Sequence, residues 1–218
     1  MSNLLALQTI QTDLLPHRAV LVAVSKNHLA EEVMPLYEAS QRVFGENRVQ
    51  ELLTKYEQLP KDIEWHLIGH LQTNKVKLIA PFISLIHSVD SEKLLAVINN
   101  EAQKCNRVID CLLQVHIASE DTKFGFSLLE AELFIKSFAP DKFPNIRLRG
   151  LMGMATFTED SLQIEREFNT LADLFKQVQK DKVSLQPHFN ILSMGMSSDY
   201  RIALQCGSNM VRIGSLLF

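Results

Sequence analysis

Short apolar runs alternate with longer amphipathic runs along the chain. The short runs are rich in Val and Ile, whereas the longer runs repeat their apolar positions with the period of a helix. This alternation is typical of βα units around a parallel sheet. Eight of the short runs predict strands: Val20–Val24, Val43–Phe44, Trp65–Ile68, Leu85–His87, Cys111–Ile117, Leu148–Met152, Phe189–Leu192 and Met210–Ile213.

The longer runs predict helices. Some begin as helices should, because Ser91 and Ser161 each place a capping hydroxyl ahead of the apolar period. The predicted helices are Leu4–Leu15, Leu29–Ser40, Glu46–Gln58, Asn74–Phe82, Ser91–Cys105, Leu128–Phe138, Ser161–Gln179 and a shorter one at Asp199–Cys206.

Eight parallel strands that close on themselves form a (β/α)8 TIM-type barrel, which is the predicted α/β fold. The chain has 218 residues, whereas such barrels commonly need about 250, so the loops must be short. A doubly wound open sheet is the alternative. No linker or repeat divides the sequence, and we therefore predict one domain over residues 1–218, with residues 1–17 forming a helical segment outside the barrel.

Composition excludes several classes of partner. The formal net charge is −3, which gives no strong field toward nucleic acid or anionic lipid. The three cysteines, Cys105, Cys111 and Cys206, show neither a disulfide framework nor metal-site spacing. The first residues have no basic region before an apolar run, so they do not resemble a signal peptide or membrane anchor. We expect a cytoplasmic monomer that binds neither nucleic acid nor membrane.

Lys26 follows a continuous apolar run, Ala19–Val24, and Ser25. It therefore lies at the C-terminal edge of the first strand, where barrel active sites form. Partial desolvation there would make the neutral amine available to attack an aldehyde, which is Schiff-base chemistry. The alternative is a lysine that only extends from the rim into water.

Two turns near the C-terminus favour an anion site. Ile191–Asp199 runs from a strand into a Gly/Ser-rich turn, although Ser197 or Ser198 could equally be a helix N-cap. In the last strand Arg212 precedes Gly214 by two residues, so both point to the same face. Arg212 could then reach a ring whose phosphate lies on Gly214 and Ser215, or it could be a rim residue paired with an acid.

Five stretches of the chain match a known family. They span Val22 to Gly214 in the family's order: Val22–Lys26, Phe44–Glu51, Trp65–Lys75, Leu192–Asp199 and Gly207–Gly214. With these motifs the chain resembles the pyridoxal phosphate homeostasis proteins, small barrels that bind pyridoxal 5′-phosphate (PLP) and are similar to the N-terminal domain of alanine racemase. Asn27 and His28 depart from the threonine and basic residue that usually follow the lysine.

The resemblance implies a PLP site. Lys26 would carry the cofactor as an internal aldimine, Arg212 would face the pyridine nitrogen, and Asn47 would contact the ring side. The residues implied around the phosphate are Ser193, Ser197, Gly214 and Ser215. Lys123 would lie near the barrel mouth, with simple solvent exposure as an equal alternative.

The implied function is a protein that holds PLP and takes part in its homeostasis, delivering it to apo-enzymes without robust catalysis. A PLP-dependent racemase or lyase is the alternative. Alanine racemase takes a second acid/base from a separate domain, and here Lys123, His66 or a partner subunit would have to supply it. A Schiff-base aldolase or phosphate-binding barrel without PLP is a third possibility. We expect His66 at the barrel mouth, with a structural histidine as the alternative, and no zinc site with His70.

Overall fold

Eight parallel strands close into a barrel in the described part of the chain. The computed structural model describes residues 2–119, 124–181, 185 and 187–218. Neighbours in the barrel follow chain order, and the last strand pairs with the first. The strands are β1 (Val20–Val24), β2 (Val43–Glu46), β3 (Glu64–Leu67), β4 (Leu85–Val89), β5 (Ile109–Gln114), β6 (Ile146–Met152), β7 (Ile191–Ser193) and β8 (Met210–Ile213). The predicted barrel is confirmed.

Helices connect the strands and cover the barrel. Ser91 caps its helix through a hydrogen bond from Leu94 N–H, as the sequence predicts. The helices are α1 (Leu4–Leu14), α2 (Ala30–Glu38), α3 (Val49–Gln58), α4 (Val76–Ile79), α5 (Glu92–Lys104), α6 (Leu128–Ser137), α7 (Ser161–Asp181) and α8 (Tyr200–Gln205). Among the described residues, none of these helices is both long and apolar enough to cross a membrane.

Strand alternation divides the apolar side chains into two layers. In β1, Leu21 and Ala23 belong to the outer layer between barrel and helices, whereas Val22 belongs to a smaller cluster with Leu112 and Met152. Val22 also lies opposite Arg212 in the register of β1 and β8. Residues paired in this way point to the same side of a sheet, so Arg212 faces the barrel interior.

Two element boundaries differ from the predictions in ways that affect the site. β2 continues to Glu46, which had been predicted to begin a helix, and α3 starts only at Val49. Glu46 stays in the strand because it pairs with Leu67 of β3 and its side chain is fully buried. The predicted helix Asn74–Phe82 is a 3-10 turn at Thr73–Lys75 followed by the short helix α4.

Candidate functional site

The C-terminal ends of β8, β1 and β2 lie side by side. Val24 of β1 pairs with Gly45 of β2, and on the other side a Cβ added to Gly214 would lie 2.9 Å from the carbonyl oxygen of Val24. Only glycine allows the backbone after β8 to approach β1 so closely. Lys26 and Asn47 immediately follow the paired strand ends, and this edge therefore gathers several of the predicted residues.

Lys26 is exposed at the rim of the barrel, in a turn that begins after the buried Ser25. Partial desolvation of its stem stays a prediction from the sequence. The strand ends at Val24, and Lys26 lies in the turn that follows, where Asn27 adopts a left-handed backbone conformation with φ of 65°. The amine is accessible to a ligand that enters from the C-terminal side.

Side chains of β2 and α3 hold the turn that carries Lys26. Ser25 Oγ donates to Glu46 Oε1 at 2.6 Å. Lys55 Nζ donates both to Glu46 Oε1 and to the carbonyl oxygen of Ser25. On the far side of Lys26, Asn27 N–H donates to Glu51 Oε2 at 3.0 Å. Side chains from two neighbouring elements thus fix the backbone on both sides of the lysine.

Glu46 and Lys55 form a buried ion pair, with side chains 0% and 5% exposed. Burial raises the pKa of the Glu46 carboxyl, while the hydrogen bonds from Lys55 and Ser25 act in the opposite direction. Among the described residues, Glu46 Oε2 has no hydrogen-bond partner. Charged groups without water are costly unless they are paired, so each of these two residues depends on the other.

Arg212 lies inside the barrel with a relative exposure of 4%. Its Nη1 donates to the carbonyl oxygen of Ser193 at 2.9 Å and to Ser193 Oγ at 2.7 Å. Its Nη2 donates to the carbonyl oxygen of Gly153 at 3.0 Å. Within the described residues its Nε–H has no acceptor and it makes no ion pair, although the Asp199 carboxylate acts on it through space.

Burial lowers the pKa of Arg212 to about 10, so the guanidinium is still charged at neutral pH. The alternative of a rim arginine paired with an acid is therefore wrong. The structure contains instead a buried cation whose hydrogen-bond partners among the described residues are all neutral. Such a group can donate a hydrogen bond to a ligand but does not give up its proton.

Two histidines continue this polar cluster across the barrel. His87 Nδ1 lies 3.1 Å from Ser193 Oγ, and His87 Nε2 lies 3.0 Å from His66 Nδ1. Burial lowers the pKa of His66 to about 3 and that of His87 well below its usual value. Both imidazoles are therefore neutral at physiological pH.

The prediction that His66 lies at the barrel mouth is wrong. His66 is buried and lines a cavity of about 590 Å³ at the N-terminal ends of the strands, together with Glu64 and Arg18. β3 begins at Glu64, and His66 follows two residues later on the same interior face as Glu64.

The turns after β7 and β8 present unused hydrogen-bond donors. The backbone N–H groups there that donate to no other described residue include those of Ser197, Ser198, Gly214 and Ser215. The two turns are held together by the hydrogen bond from Arg212 N–H to the carbonyl oxygen of Gly195 at 3.0 Å. Asp199, not a serine, precedes α8 as its cap residue, so the N-cap alternative for Ser197 and Ser198 is wrong.

The other predicted site residues are distributed as follows. Asn47 is half-buried, and its side-chain amide has no partner among the described residues. Ser193 is fully buried, with its hydroxyl directed to Arg212 and His87. Lys123 lies outside the described residues. Searched over the described ranges, the chain has no group of three or more side chains suited to hold a metal ion.

Sequence reasoning missed the roles of Glu46, Lys55 and His87. The sequence predicts Glu46 as the first residue of a helix, and nothing in the spacing of Glu46 and Lys55 distinguishes them from surface residues. The inward alternation along β3 and β4 does contain a signal, because it places His66 and His87 on the interior faces of neighbouring strands.

The chain is similar to proteins of known family. Residues 5–218 match the family described as alanine racemase, N-terminal domain. A pyridoxal phosphate homeostasis protein from Helicobacter pylori is 41% identical over 206 residues, which are 93% of this chain and 88% of the relative. A protein of the same name from Aquifex aeolicus is 40% identical, over 92% of this chain and 86% of the relative.

Solved structures agree with this relationship. PipY of Synechococcus elongatus with PLP bound superposes with a TM-score of 0.87 at 32% identity, over 98% of both chains. Its structure without PLP gives a TM-score of 0.90. Alanine racemase from Bartonella henselae, at 19% identity and a TM-score of 0.72, shares the fold and is covered over 56% of its length. The chain therefore belongs to the pyridoxal phosphate homeostasis proteins, within the alanine racemase N-terminal domain family.

Proposed function

We propose that residues 1–218 act as one monomeric unit that holds PLP on Lys26 and takes part in intracellular PLP homeostasis without robust catalysis of its own. The name shared by the curated relatives and the PLP-bound structure of PipY support this proposal. Delivery of PLP to apo-enzymes is part of the same proposal, because a carrier needs an acceptor.

Lys26 supplies the attachment point. Its neutral amine adds to the aldehyde carbon of PLP, a C=N bond forms, and the aldehyde oxygen leaves as water. The exposed position of Lys26 supports reversible attachment, since water and other amines can reach the same bond. Asn47, half-buried beside it, would contact the ring side.

Buried Arg212 is the observation that carries the proposal. Its free Nε–H can donate to the pyridine nitrogen, and because the guanidinium keeps its proton, that nitrogen stays unprotonated. PLP acts as an electron sink most strongly when this nitrogen is protonated. The arrangement therefore favours holding the cofactor over using it in catalysis.

The turns after β7 and β8 would bind the phosphate. Free backbone N–H groups at Ser197, Gly214 and Ser215 form a suitable anion site, and the hydroxyls of Ser197 and Ser215 add further donors. Ser193 would act differently from these residues, through its contacts with Arg212.

The test is an absorption spectrum of the purified protein after incubation with PLP. We expect a band at about 420 nm, where PLP imines absorb, and Lys26→Ala should abolish it. Lys93→Ala, which changes an exposed lysine of α5, is the matched control and should keep the band. An unchanged band in Lys26→Ala would contradict attachment at Lys26. No band in the wild type would contradict the proposal as a whole and favour the aldolase-type barrel without PLP.

A further inference from the structure

We propose that Ser193, His87 and His66 form a hydrogen-bond chain of fixed direction that positions Arg212, so that His66 and His87 are positioning residues of the cofactor site. The inference rests on the proposed function, because it assigns Arg212 to the PLP ring. Neither histidine needs to touch the cofactor. The chain runs from Arg212 in the barrel interior to the cavity at the N-terminal ends of the strands.

The direction of the chain is set at its arginine end. A guanidinium is only a donor, so Ser193 Oγ must accept the hydrogen bond from Arg212 Nη1 at 2.7 Å. In the described residues, the other group within hydrogen-bond distance of this oxygen is His87 Nδ1, at 3.1 Å. The serine proton therefore has one acceptor, and Ser193 donates to His87 Nδ1.

The direction of donation at Ser193 then determines the tautomers of both imidazoles. A neutral imidazole has one N–H and one acceptor nitrogen, so His87, which accepts at Nδ1, carries its proton on Nε2. This proton is donated to His66 Nδ1 at 3.0 Å, which places the proton of His66 on Nε2. The opposite direction would leave the serine O–H without an acceptor inside the barrel, at a cost comparable to a lost hydrogen bond.

His66 ends the chain at the cavity of about 590 Å³ that it lines with Glu64 and Arg18. Its Nδ1 is occupied by His87, which leaves Nε2 as the polar atom available on the cavity side. Across the described residues, no acceptor binds this N–H. Solvent in the cavity can therefore accept this last hydrogen bond, although His66 is only 4% exposed.

The hydrogen-bond chain positions Arg212 because each of its hydrogen bonds depends on the next one. A cation at one end polarises the hydroxyl and both imidazoles in one direction, which strengthens the bonds. If His66 no longer accepts, His87 must either leave Nε2–H unpaired or move its proton to Nδ1, and the second choice deprives Ser193 of its acceptor. The first outcome leaves a buried donor unsatisfied, and the second disturbs the hydroxyl that binds Arg212 Nη1.

The tautomers can be measured directly by ¹⁵N NMR of histidine-labelled protein. We expect both His66 and His87 to be protonated on Nε2 and unprotonated on Nδ1, without PLP and with it. A proton on Nδ1 of His87 in the wild type would overturn the inference. If the wild type forms no PLP imine, the proposed function fails, while the tautomers of the unliganded protein still decide whether the chain exists.

A pair of substitutions at His66 separates positioning from packing. His66→Leu removes the acceptor and should weaken PLP binding about tenfold, the effect of one unsatisfied buried donor. His66→Asn offers a carbonyl oxygen near the position of Nδ1 and should restore affinity to within about twofold, with His87 again protonated on Nε2.

Leu112→Ala is the control for general loss of stability, because Leu112 packs in the barrel interior and takes no part in the hydrogen-bond chain. It should lower the melting temperature while leaving the tautomer of His87 unchanged. Equal loss of PLP affinity in folded His66→Leu and His66→Asn would show that only packing matters and would refute the positioning role.

Discussion

Lys26 and Arg212, the two residues proposed to hold PLP most directly, have opposite surroundings. Lys26 is exposed on a turn, whereas Arg212 is 4% exposed and fixed by three hydrogen bonds. A reversible covalent bond needs access for water and for exchanging amines, while a ring contact needs a constant position. The division suits a carrier, since the cofactor can be released at one end while its binding position is kept.

Gly214 allows a prediction at the same scale. Gly214→Ala places a Cβ 2.9 Å from the carbonyl oxygen of Val24, so the turn must shift and its free N–H groups with it. We expect PLP affinity to fall on the order of tenfold, because several of the proposed phosphate contacts share this turn. Titration followed by absorbance measures the loss.

Leu216→Ala is the matched control for Gly214→Ala. It changes a half-exposed side chain in the same turn and leaves the backbone N–H groups in place. Its affinity should equal that of the wild type. If Gly214→Ala also binds PLP normally and remains folded, the phosphate does not lie on this turn.

At the scale of elements, β2 and α3 act as a support for the turn after β1. The motif from Gly45 to Glu51 contributes Glu46 from the strand end and Glu51 from the first turn of the helix, and Lys55 follows one turn later. Their hydrogen bonds reach Ser25 and Asn27 on either side of Lys26. Glu46 and Glu51 thus stabilise the turn after β1, a role that the periodicity of the sequence does not reveal.

The buried pair in this support makes a testable prediction. Lys55→Met leaves the Glu46 carboxylate buried without its cation, and we expect a loss of about 3–5 kcal/mol in the free energy of unfolding. Adding Glu46→Gln to Lys55→Met removes the unpaired charge while keeping an acceptor for Ser25 Oγ, and should recover part of the loss. Urea unfolding of both variants provides the measurement.

Glu46→Gln alone is measured as the reference. If the double variant is less stable than Lys55→Met by the full cost of Glu46→Gln alone, the two residues act independently. The 420 nm band gives a second readout. It should weaken in Lys55→Met even where the protein is fully folded, because the turn carrying Lys26 loses one of its contacts.

At the scale of the whole molecule, the chain shares its barrel with alanine racemase but spans 56% of the length of the Bartonella henselae enzyme. A shared fold does not establish a shared reaction. Catalysis of racemisation needs an electron sink and an acid/base on each face of the substrate. In the proposed site the buried Arg212, whose pKa of about 10 keeps it charged at neutral pH, would work against the first requirement.

Deuterium exchange at the α-carbon of amino acids tests this difference. With PLP bound, we expect exchange far slower than about 1 s⁻¹, the lower end of ordinary enzyme turnover. ¹H NMR in D₂O with a panel of amino acids measures the rate, and alanine racemase serves as the positive control. Exchange at an enzymatic rate would favour the racemase or lyase alternative.

The sequence by itself determined the barrel and the bounds of its first and last strands. Apolar runs and amphipathic helices are local patterns, and β1 and β8 have the bounds that these patterns predict. Strand alternation likewise directed Arg212 and Gly214 to one face without knowledge of any neighbour. These features depend on residues close in sequence, which is why they could be predicted.

Only the tertiary structure decided what surrounds those residues. The exposure of Lys26, the burial of Glu46 with Lys55, and the depth of His66 all depend on register between strands and on packing of helices that are far apart in sequence. Ser193 is the clearest case: its place in β7 is a local property, but the direction of its hydroxyl is set by Arg212 and by His87, 106 residues away. Hydrogen bonds between distant strands leave no periodic trace in a single chain.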